Sequence, residues 1–83
     1  MTPPTREEVK VNMKLYRAKV SGRDGVVAVE MFWDRHQRIW TITERDGDGN
    51  QVGDADYAIG CRGFKEARKH VEMSYGKLKF EQV

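Results

Sequence analysis

The chain has 83 residues, 39% of them apolar and 34% charged, with a formal net charge of +2. That length restricts it to one small domain with a core only just large enough to hold it together, and charged residues interspersed along the whole chain with apolar ones suit a globular surface better than a disordered polymer. A membrane span needs roughly 18 apolar residues in a row; no run approaches that, and the start MTPPTREEVK has no apolar signal-peptide core, so a cytoplasmic location is expected.

The small net charge hides three blocks. Residues 1–45 carry nine Lys/Arg against six Asp/Glu (+3), residues 46–59 carry four aspartates and no base (−4), and residues 60–83 carry six bases against three acids (+3). Such a balance does not by itself demand a polyanionic partner. The single cysteine, Cys61, excludes an internal disulfide.

In chain order, residues 1–5 are expected to be a flexible tail, because the two prolines of MTPP lack backbone donors, and residues 6–83 form one small domain. TREEVKVNMKLYRAKV fits two patterns. Thr5 and Glu8 match a capping box with Val9, Met13, Tyr16 and Val20 on one helical face, while Val9, Val11, Met13 and Leu15 alternate as in a strand. The favoured reading is a short helical turn at most, then a strand over 13–20. SGRDG supplies turn chemistry. VVAVEMFW (26–33) is rich in β-branched and aromatic residues, the clearest strand signal in the chain. The polar break DRHQ and a second strand, RIWTITER (38–45), make an antiparallel hairpin. QVGDADYAI (51–59) predicts a further strand interrupted by Gly53.

RGFKEARKHVEMSYGK (62–77) is the clear helix, with Phe64, Ala67, Val71 and Tyr75 at helical intervals and Gly76 where a C-terminal cap belongs. KLKFEQV alternates Leu78 and Phe80 and predicts a short last strand. The expected fold is α+β: an antiparallel β-meander of three to four strands, one helix in the C-terminal half packed on one face, and a short final strand. One helix covers one face of such a sheet, so the other is expected to face solvent or a partner. Strand alternation places Trp33, Trp40, Ile42, Phe64, Val71 and Tyr75 in the core. It places Arg17, Lys19, Phe32, Ile39, Thr41 and Thr43 on the second face.

RDGDGNQVGDAD (45–56) has the look of a calcium loop, which needs oxygen ligands at positions 1, 3, 5 and 12 and glycine at 6. Counting from Asp46, position 6 is Gln51 and position 12 is Tyr57, so the pattern fails where it is most specific. Asp, Asn and Gly in this order suit a hairpin turn, and a turn is expected. DGDGNQVG lacks the Lys-Ser/Thr of a phosphate loop. Cys61, His36 and His70 are too few for a four-ligand zinc site, and a Cys61–His70 catalytic pair ranks below a packing thiol and a solvated imidazole. Neither an enzyme, a cofactor, a metal nor a small-molecule substrate is expected.

FWDRHQRIW (32–40) carries the strongest binding signal. Arginine forks contact phosphates and base edges, and a hairpin fits a groove, which makes Arg35, His36, Arg38, Arg17 and Lys19 the candidate nucleic-acid contacts. Trp33 and Trp40 are expected to be core. The hairpin WDRHQRIW and the helix start GFKEARKHV resemble the three strands plus helix of β-sheet DNA-binding domains, the plant ethylene-response-factor type and the arm-binding domains of phage integrases. The resemblance covers about half the chain and implies DNA read from the exposed sheet face, with Arg35 and Arg38 at matching positions.

The expected function is therefore a non-enzymatic binding module that takes a macromolecule, nucleic acid being one candidate, through an open sheet face and a basic hairpin turn. The alternative is a small bacterial, plasmid or phage adaptor or inhibitor that contacts a protein through Phe32, Ile39 or the acidic residues Asp46, Asp48, Asp54 and Asp56. Homodimerisation through the open face or an edge strand is a variant of that alternative.

Overall fold

The structure, a computed structural model, describes residues 14–83; the readings of residues 1–13 as tail, helical turn and strand start lie outside the described residues. Asp24 and Gly25 both take positive φ (54° and 81°), the signature of a two-residue type I′ hairpin. This turn joins β1 (Leu15–Arg23) to β2 (Val26–Asp34). β3 (Ile39–Arg45) and β4 (Gln51–Ala58) continue the meander, followed by helix α1 (Phe64–Tyr75) and β5 (Glu81–Gln82). The sheet is antiparallel throughout, in the order β4-β3-β2-β1-β5, so the short last strand returns to the edge beside β1.

Two irregularities shape the sheet. Between the Lys19–Ala28 and Arg23–Val26 pairs, β1 advances four residues while β2 advances two. Between the Ile42–Asp56 and Glu44–Val52 pairs, β4 advances four residues while β3 advances two. The second bulge contains Gly53 at φ 69°, a conformation that side chains resist. A bulged edge bearing exposed Asp54 and Asp56 is protected against pairing with another strand.

One face of the sheet carries the core. Val29, Met31, Trp40, Ile42 and Ala58 pack against Ala67 and Val71 of α1, with Tyr16, Trp33, Phe64, Tyr75, Leu78 and Phe80 partly buried around them. All six expected core residues lie here. Trp40 is the hub of an aromatic cluster, 6.2 Å from Tyr16, 6.0 Å from Trp33 and 6.3 Å from Phe64 between ring centroids.

The helix is shorter than its expected span at both ends. Gly63 is extended (φ −121°, ψ 166°) as N-cap, and Gly76 takes φ 78° while its N–H donates to the Glu72 carbonyl at 2.8 Å. A methyl group at Gly76 would meet nothing within 4 Å, so Gly76→Ala tests backbone conformation alone. It is expected to lower unfolding free energy by about 1 kcal/mol in urea titration. The final strand is shorter too. Leu78 N–H donates to Glu72 Oε2 at 2.9 Å, which commits that backbone to the helix end, and ladder pairing is limited to Glu81 and Gln82.

Candidate nucleic-acid interface

The β2–β3 connection is held from below by one buried carboxylate. Asp34, 1% exposed, accepts His36 N–H at 3.0 Å and Gln37 N–H at 3.2 Å through Oδ1, and Gln37 Nε2 at 3.1 Å through Oδ2. Aspartate binding the backbone two and three residues ahead is a local turn device. Arg38 closes the loop at φ 56°. Arg35, His36 and Arg38 are consequently all exposed at the end of the sheet. Among the described residues none of the three has a carboxylate within ion-pair distance. Behind the loop, Trp33 and Trp40 pair across the strands at an interplanar angle of 61°, on the helix side. The tryptophans pack behind the turn on the core side, as expected.

The expectation of a bare second face is corrected at its centre. Phe32 is 7%, Thr41 5% and Thr43 7% exposed, and Ile39 is half-buried. Phe32 packs on Leu15 across the β1–β2 ladder, and Thr41 lies in register between Phe32 and Tyr57. Phe32 is therefore unavailable as a partner contact. The same face buries Glu30, 1% exposed, which accepts Arg45 Nε at 3.1 Å. Arg17 and Lys19 are exposed on β1, as expected, and form a basic rim beside this buried strip.

The acidic stretch divides by role. Asp46 Oδ1 accepts Asp48 N–H at 3.0 Å and Asn50 N–H at 2.9 Å, and its backbone N–H donates to the Asn50 carbonyl at 3.0 Å. Its carboxylate turns onto its own loop, which is what a hairpin turn requires. Asp56 faces α1, with Oδ2 3.5 Å from His70 Nε2. Asp48 and Asp54 are exposed. Cys61 is half-buried against the core, and its N–H donates to the Ala58 carbonyl at 3.3 Å.

No family model, curated protein or solved structure matches this chain. The site therefore rests on its own geometry. Three contributors escaped sequence reading: the Asp34 clamp, the hydrogen bond from Tyr75 Oη to Glu44 Oε2 that ties α1 to β3, and Lys79 near the β1–β5 edge. Asp34 had a signal, since an aspartate leading a polar four-residue loop is a common turn start. The other two are long-range and had none.

Proposed function

We propose that this domain is a non-enzymatic binding module that takes nucleic acid at the Arg35–Arg38 turn and the adjacent basic rim. The observation that carries the proposal is the exposed basic turn fixed by a buried aspartate. Two arginines without carboxylate partners among the described residues keep their donors for phosphate or base edges, and a fixed turn loses little freedom on binding. The resemblance to β-sheet DNA-binding domains points to the same arginines. The buried centre of the second face moves the contact from the sheet surface to its end and rim. Such a role belongs inside a cell, bacterial or phage-infected in this proposal, and among the described residues no helix is long and apolar enough to cross a membrane.

Salt dependence is the test. Binding of a fluorescent 16-base-pair duplex, followed by anisotropy between 20 and 200 mM salt, is expected to weaken linearly on a log–log plot. Arg35→Gln/Arg38→Gln is expected to flatten that slope by about 2, one unit for each phosphate contact removed. Absence of binding at 20 mM salt rejects the proposal.

A protein-binding role remains the alternative, favoured by one observation: along β4 and its flanking residues, Asp48, Asp54, Tyr57 and Ile59 are all exposed, Ile59 to 82%. Under that alternative a basic protein surface docks on the β4 edge. Replacing both aspartates with asparagine then weakens the complex, with DNA binding of the isolated domain absent.

A further inference from the structure

We infer that a concavity at the β1–β5 edge, lined by Arg17, Lys19 and Lys79, is a second phosphate cradle that grips the same nucleic-acid backbone as the turn. This inference rests on the nucleic-acid reading and extends it to a residue outside the turn. The concavity has a volume of about 460 Å³ and is completed by Glu81, Gln82 and Val83. Three cationic side chains meet one acidic side chain there, Glu81. Arg17 is flanked by Glu30 and Glu81: Glu30 is buried and bonded to Arg45, Glu81 stays outside ion-pair distance of Arg17, and Lys19 lies opposite Ala28, which offers no counter-charge. Lys79 arrives from the segment just before β5. Among the described residues none of the three cations forms an ion pair. Like charges held around one hollow repel each other, and an anion seated between them relieves that repulsion.

The ligand class follows from the shape and from the distance to the turn. The hollow is open and lined by long, exposed cationic side chains, two lysine ammoniums and one arginine fork, which suit phosphate, and it lacks the enclosed polar pocket that fixes a small metabolite. Arg17 pairs with Glu30, four residues before Asp34. At about 3.3 Å per residue the cradle lies roughly 15–20 Å from the tip of the turn. With a rise of about 3.4 Å per nucleotide, that gap corresponds to about five base pairs. One duplex can therefore occupy both positions.

Lys19→Gln/Lys79→Gln tests the cradle without touching the turn. Both side chains are exposed, so an unchanged thermal midpoint serves as the folding control. With the 16-base-pair duplex the variant is expected to bind on the order of tenfold more weakly at 50 mM salt, with a slope shallower by about 2. Wild-type affinity and slope in this variant, with binding still sensitive to Arg35→Gln/Arg38→Gln, overturn the cradle and leave the turn standing. A wild-type protein that does not bind the duplex overturns the nucleic-acid reading and the cradle with it. Inorganic pyrophosphate that binds wild type as tightly as the duplex, and loses affinity in the lysine variant, overturns the assignment to a polymer backbone.

Discussion

Trp40→Ala is expected to cost about 3–5 kcal/mol of unfolding free energy, the range for deleting a large buried aromatic side chain. Trp40 is 6% exposed and sits at the centre of the Tyr16–Trp33–Phe64 cluster, where β2, β3, β1 and α1 meet. A domain of this length has roughly 4–12 kcal/mol in total, so the variant approaches or crosses the unfolding threshold at 37 °C. Two comparisons locate the cause. Trp33→Ala removes a partly buried ring and is expected to cost less than half as much. Trp40→Phe keeps an aromatic ring and also deletes Nε1, a buried donor with no partner among the described residues, so it is expected to retain most of the stability. Equilibrium urea unfolding of the three variants checks the order. Equal losses for Trp40→Ala and Trp33→Ala would show that the core is centred elsewhere.

Asp34→Ala is expected to cost about 2–3 kcal/mol, since it removes three hydrogen bonds to one buried carboxylate. Its effect on binding separates charge from geometry. The substitution makes the neighbourhood of the turn more positive by one unit, so electrostatics alone predicts tighter DNA binding. A turn that works because its backbone is fixed predicts weaker binding, by on the order of tenfold, as the loop carrying Arg35 and Arg38 loosens. Asp34→Asn keeps an acceptor oxygen, gains the same charge and is expected to bind at least as well as wild type. Opposite directions for the alanine and asparagine variants support a preorganised turn; improved binding by both reduces it to a patch of charge.

Much of the fold was legible because its signals are local. VVAVEMFW has no competing period, RDG ends a strand with residues that accept positive φ, and Gly76 marks the helix end by the same chemistry. The core residues followed from strand alternation and helical spacing. What could not be read was the second face. Alternation correctly placed Phe32, Thr41 and Thr43 there, but alternation assigns a face and says nothing of how far that face is covered, which depends on long-range packing. The β1 and β4 bulges, each adding two residues to one strand, make that register impossible to count from the sequence. The candidate site was legible in Arg35, His36 and Arg38 because a basic four-residue loop exposes its side chains wherever the hairpin goes. The Lys79 contribution depends on β5 returning to β1 across the whole sheet, a pairing between chain ends with no sequence signature.

Amide chemical-shift mapping of the labelled protein during titration with a short duplex tests the location of the interface most directly. Perturbations concentrated at residues 35–38 and at Arg17, Lys19 and Lys79 are the expected result. Perturbations concentrated on the β4 edge from Asp48 to Tyr57, or none at low salt, would contradict it.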